Sequence, residues 1–206
     1  DAAGRSTFER IPPNFATPDY HPGVAALKFY ADFATPGRAA YTWNADFPDS
    51  LVAFAGNQAA FAFGYRYDAA EIAATGKGKV NLGVARLPQI PGNPEVNVAG
   101  YALEVVTSRT KHADEAWDFL VFASSEENVA DYLQATRRPT ALRSLIPAQL
   151  QDDELAVFAS QLLTARGWYR GPETAKAEEA FRQMITSVLS GTTAEEAIRF
   201  AASRVN

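Results

Sequence analysis

Apolar positions along the chain recur with periods that predict most of its elements. Pro22 suits a first helical turn, and Val24, Leu27, Tyr30 and Ala31 follow at helical spacing, so a helix is expected up to Thr35-Pro36-Gly37. TPGRAAYTWNADFP then reads as a loop carrying aromatics, and Pro48 opens a short helix with Leu51, Phe54 and Ala55 on one face and Gly56 as its stop. Gln58–Phe63, Val80–Leu87 and Tyr101–Thr107 read as three strands, with a short helix around Ala69–Ala74 after the first. From there on the pattern is helical. Ala113, Ala116, Trp117, Leu120 and Val121 form an amphipathic stripe, with Asp114 and Glu115 favouring its N-terminal end. Ser124-x-x-Glu127 and Thr193-x-x-Glu196 read as capping boxes, and a further helical stretch is expected over 147–164. After Pro172 a long helix presents Ala177, Ala180, Phe181, Met184, Ile185, Val188 and Leu189 on one face and ends at Gly191. Trp117 and Phe181, being on these stripes, are expected in the core. Residues 1–20 read as irregular.

Three strands make a poor sheet for so many helices, and a doubly wound α/β domain shows more alternation. The pattern therefore predicts a helix-rich α/β fold with a small, incomplete sheet. Composition changes this picture only by exclusion. Apolar residues make up 47% and aromatics 12%, enough for a real core, which excludes a disordered chain. The net charge is −5 and no basic stripe is present, so nucleic acid is excluded as a partner. Cysteine is absent, which removes disulfides, thiolate metal sites and cysteine nucleophiles. The two histidines, His21 and His112, lie far apart in unlike settings, so neither supports a zinc site or a catalytic triad. No apolar run approaches the roughly 20 residues of a membrane span. The chain opens on Asp1 rather than Met, so a processed form or a fragment is expected, with any signal peptide or lipid anchor upstream.

Several stretches, taken in order, carry a resemblance. Phe54-Ala-Gly-Asn-Gln-Ala-Ala-Phe-Ala-Phe-Gly is a helix end, a small-residue strand and a glycine. Gly83-Val-Ala-Arg-Leu-Pro-Gln-Ile-Pro, Ala99-Gly-Tyr-Ala-Leu-Glu-Val-Val and Lys111-His-Ala-Asp-Glu-Ala-Trp-Asp-Phe-Leu-Val-Phe follow, and Leu189-Ser-Gly-Thr-Thr-Ala-Glu-Glu-Ala-Ile closes the series. Over roughly residues 22–206 the chain resembles the extracellular solute-binding proteins of ABC importers, in the branch that includes the maltose-binding proteins. The resemblance implies a periplasmic-binding-protein-like fold of two α/β lobes around a ligand cleft. By that analogy residues 1–78 are second-lobe sequence, 79–136 are a return segment of the first lobe, and 137–206 are the closing helices of the second lobe. The start of the first lobe is then missing, and the chain is expected to be the truncated C-terminal part of a longer protein. Its function would be extracytoplasmic capture of a small solute, a sugar or oligosaccharide, for delivery to an ABC permease, in the periplasm or at the cell surface. No catalytic residue, metal or cofactor is implied. A fragment with an uncovered helix face is expected to self-associate.

A sugar cleft needs aromatic faces for C–H surfaces and polar groups for hydroxyls. The residues expected to line it are Trp43, Tyr65, Arg66, Tyr67, Tyr101 and Trp168, with Tyr65–Asp68 the leading segment because relatives line the cleft just after this glycine. Asn44, Tyr169 and Arg170 stand beside them, and each aromatic has the rival role of closing its loop over the core. Relatives that bind maltodextrins carry an aromatic early in the long penultimate helix, whereas 173–180 has none here and Glu178 and Glu179 stand there, which lowers the sugar assignment, with Trp168 of the preceding loop as the candidate substitute. Arg182, one turn later, reads as a solvated helix face, with the cleft as the alternative. Glu104, mid-strand among apolar neighbours, reads as a partner for an arginine or an edge residue, with a hydroxyl acceptor as the alternative. Two other classes remain open: a carbohydrate-active hydrolase using Asp68 and Glu104 as its carboxylate pair, or a surface binding or adhesion domain with no role in transport.

Overall fold

The computed structural model describes residues 8–11, 20–168 and 173–205. These fall into two compact units: one holds the described residues up to Pro48 and those from Glu173 on, and the other is Asp49–Trp168.

The first unit is a three-helix core of α1 (Pro22–Asp32), α8 (Thr174–Leu189) and α9 (Ala194–Val205). Helix α1 starts where Pro22 predicts. His21 caps it: its Nδ1 accepts the Val24 N–H at 3.2 Å, and its Nε2 lies 2.8 Å from the Glu9 carbonyl. Thr193 caps α9, its hydroxyl oxygen accepting the Glu196 N–H at 3.3 Å while the Glu196 carboxylate returns to the hydroxyl at 2.8 Å. Between α8 and α9 the chain reverses at Gly191, whose φ of 101° suits glycine, and Thr192 N–H donates to the Ser187 carbonyl at 2.9 Å. Val24, Leu27, Ala180, Met184, Ala194, Ala197, Ile198 and Ala201 are buried together, with Phe181 and Phe8 packed against them at a ring distance of 4.9 Å. Alanines at the contact positions let three narrow helices approach closely. Tyr30, expected on the inner face of α1, is exposed.

In the second unit, α2 (Ser50–Ala55) packs on α3 (Asp68–Thr75). The Asp49 side chain caps α2 by accepting from the N–H groups of Leu51 and Val52. Further along come β1 (Asn97–Val98), α4 (Ala113–Ala123), α5 (Glu126–Thr136), the single turns α6 (Ile146–Gln149) and α7 (Ala156–Ala159), and β2 (Ala165–Arg166). The strands β1 and β2 run parallel, with Asn97 opposite Ala165 and Val98 opposite Arg166. Helices dominate and the sheet is small and open, as expected of a helix-rich α/β chain of incomplete sheet.

Four local expectations are corrected. Residues 58–63, 80–87 and 101–107 are not in a ladder, because no neighbouring strand pairs with them among the described residues. Their apolar side chains consequently stand in water, Phe61 at 92% and Leu103 at 80% exposure. Trp117 is not core. It is 56% exposed, and among the described residues none of α4 is buried, because no element covers its apolar stripe fully. The helix expected over 147–164 is broken, because the Asp152 carboxylate accepts the N–H groups of Glu154 and Leu155 at 3.0 and 3.1 Å and turns the chain there. Helix α5 starts after Ser125, and no side chain caps it.

Candidate functional site

The Gly64–Asp68 corner is built from its glycine outward. Asp68 is buried, and its Oδ2 accepts the Tyr65 N–H at 2.6 Å. A Cβ on residue 64 would lie 2.9 Å from that same oxygen, so the corner closes only around glycine. The tight turn brings Tyr65 and Tyr67 into a stacked pair, centroids 5.4 Å apart and planes 15° from parallel. Both rings remain exposed, so each keeps a free face in water. Partial desolvation holds the Tyr67 phenol above its ordinary range, reinforced by the charge of Asp68 and by Tyr65 and Glu71.

Arg66 goes the other way. Its side chain is 18% exposed and its Nη2 donates to Glu154 Oε2 at 3.1 Å, while its Nε is buried without a hydrogen-bond partner. Arg137 joins the same cluster, with two contacts of 2.8 Å to the Asp152 carboxylate and one of 3.3 Å to Glu154. These hydrogen bonds raise the Arg137 pKa and lower that of Asp152. Of the predicted corner residues, Tyr65 and Tyr67 thus keep exposed rings, and Arg66 is engaged in fastening the corner to the turn before α7.

A second group lies at the parallel strand pair. Ala99 N–H donates to the Arg166 carbonyl at 3.1 Å, carrying the pairing one residue past β1. Asn97 is buried on one side, where its Nδ2 donates to Glu95 Oε1 at 2.9 Å and to Thr164 Oγ1 at 2.7 Å, and its Oδ1 accepts from Gln89 at 3.3 Å. The Asn97 hydrogen bond and then that from Arg86 hold the Glu95 carboxyl below the usual carboxylate range. Tyr101 and Trp168 follow the carboxyl ends of the two strands and are both exposed. The edge of the Tyr101 ring comes within 4.0 Å of a Cβ placed on Gly167, next to Trp168. In open parallel α/β sheets such ends are where ligands bind.

Trp43 belongs to the first unit, half-buried, edge-on to Phe47 at 5.2 Å, with its indole N–H donating to the Pro48 carbonyl at 3.1 Å. Asn44 is taken up by the same loop through the Tyr41 hydroxyl. Tyr169 and Arg170 lie outside the described residues. Arg182 is an exposed helix-face residue paired with Glu179. Asp68 is committed to its backbone cap, Glu104 is exposed, and no hydrogen bond joins them among the described residues. The two polar networks escaped sequence reading, because their members are far apart along the chain. Asn97, polar between two valines, was the one local signal. Among the described residues no group of three His, Asp or Glu is placed to hold a metal ion, and no helix is long and apolar enough to cross a membrane.

Residues 11–158 match the family described as bacterial extracellular solute-binding protein. No curated protein matches the chain.

Proposed function

The chain belongs to the bacterial extracellular solute-binding proteins, and from that premise we propose that the solute is a sugar or oligosaccharide held on exposed aromatic rings. Membership makes it an extracytoplasmic protein that captures a small solute for import through an ABC permease. Such proteins are typically non-enzymatic, and on this reading the solute is bound and not converted.

The observation that carries the sugar reading is the stacked pair Tyr65–Tyr67. Two phenol rings fixed by a buried carboxylate and a glycine, yet left in water, offer a preorganised flat surface at little entropic cost. The C–H face of a pyranose packs on such a ring, and the phenol hydroxyls reach its hydroxyl groups. Tyr101 and Trp168 add exposed rings at the strand ends.

The lobe assignment belongs to the same proposal: 1–78 and 137–206 in the second lobe, 79–136 returning through the first. The bare stripe of α4 and the unpaired, apolar segment 101–107 favour it, since both have the composition of buried elements.

The reading is tested by replacing Tyr65 and Tyr67 together with Ala and titrating neutral sugars. Binding is expected to fall by tenfold or more while the melting temperature stays within about 2 °C, because exposed positions contribute little to stability. Unchanged affinity would remove the tyrosine pair from the site.

A further inference from the structure

One side of the β1–β2 pair is sealed by Asn97 and its hydrogen bonds, and the other side is open. Trp168 lies two residues past Arg166, where β2 ends. The register sets Val98 beside Arg166. Val98 is 52% exposed and Trp168 39%, and a Cβ on Gly100 would meet nothing within 4 Å. Among the described residues no hydrogen bond or ion pair reaches the Arg166 guanidinium. In the same unit Arg66, Arg86 and Arg137 are each engaged by carboxylates, in a chain whose net charge is −5. An uncommitted guanidinium two residues from an exposed indole combines two recognition elements. The ring suits the C–H face of a sugar, and the planar fork suits an anionic substituent, which it binds through two parallel hydrogen bonds.

We propose that the open side of the β1–β2 pair binds an anionic sugar, with Trp168 under the ring and Arg166 on its carboxylate or phosphate. This rests on the sugar reading above and narrows it, and Arg166 becomes the residue that sets specificity. In this arrangement the charge of the solute is met by Arg166.

The test follows the indole ¹⁵N–¹H resonance of Trp168 in the full 206-residue chain during titration with glucose, glucuronate and glucose 6-phosphate, each to high millimolar concentration. At least one anionic sugar is expected to bind about tenfold more tightly than glucose, the gain a charged, bidentate hydrogen bond supplies. Arg166→Gln is expected to erase that preference, bringing the anionic sugars to the affinity of glucose. Arg166→Lys keeps the charge but not the fork, and should keep only part of it. A stronger response to glucuronate assigns a carboxylate, and a stronger one to glucose 6-phosphate assigns a phosphate. If glucose binds as tightly as both anions, or if Arg166→Gln keeps the preference, the role of Arg166 is wrong and the sugar reading stands. If none of the three shifts the indole while Tyr65 and Tyr67 still respond to sugar, the strand-end site is wrong. If nothing in the chain responds to any sugar, the sugar reading falls with it.

Discussion

Glu95 shows how one side chain ties distant segments together. It accepts hydrogen bonds from Asn97 and is paired with Arg86, and Asn97 carries the connection on to Thr164. The carboxyl is held below its ordinary value, so its contribution to folding is complete above the unfolded value of about 4.3 and is lost as pH falls through the lower folded value. The fastening of 86–97 to Thr164 should therefore be constant from pH 7 down to about pH 4.5 and weaken only below that. A ¹³C titration of the Glu95 carboxyl should give a midpoint below the usual glutamate range, and Asn97→Ala should move it upward. A midpoint at or above that range would mean the network is not formed in solution. Arg66 teaches a related lesson. Its residue type and neighbourhood were legible in the sequence, but its direction was not, because the carboxylate that turns it inward, Glu154, lies 88 positions away.

At the scale of elements, helical period was a reliable guide to where helices run and a poor one to what covers them. The face of α8 is as predicted, with Ala177, Ala180 and Met184 buried, because α1 and α9 lie against it. The stripe of α4 is equally periodic and is bare. Periodicity records which side of a helix is apolar, whereas burial depends on another element arriving. Strand reading failed for the same reason: 101–107 has strand composition and, among the described residues, no partner to ladder with. This contrast predicts unequal mutational costs. Ile198→Ala, at 2% exposure in the three-helix core, should cost about 2–5 kcal/mol. Trp117→Ala, at 56% exposure, should cost under about 1 kcal/mol in this chain. Chemical denaturation of both variants measures the difference, and a Trp117 cost equal to that of Ile198 would show that α4 is covered in solution.

The whole molecule inherits the consequences of those bare elements. Trp117, Phe119, Val121 and Phe122 all stand more than half in water, and every 100 Å² of apolar surface so placed forgoes about 2.5 kcal/mol. Unpaired N–H and C=O groups along 101–107 add a template for strand pairing. The isolated chain is therefore expected to self-associate, and light scattering across a dilution series should show mass rising with concentration. A monomer at every concentration would mean these faces are satisfied within the chain. Solute capture itself is tested most directly by equilibrium dialysis of the chain against a panel of neutral and anionic sugars at millimolar concentration, followed by chromatography of the sugar recovered from the protein side. The account predicts that at least one sugar is retained in excess and returned chemically unaltered. Retention of none, or recovery of a cleaved or otherwise converted sugar, would contradict it.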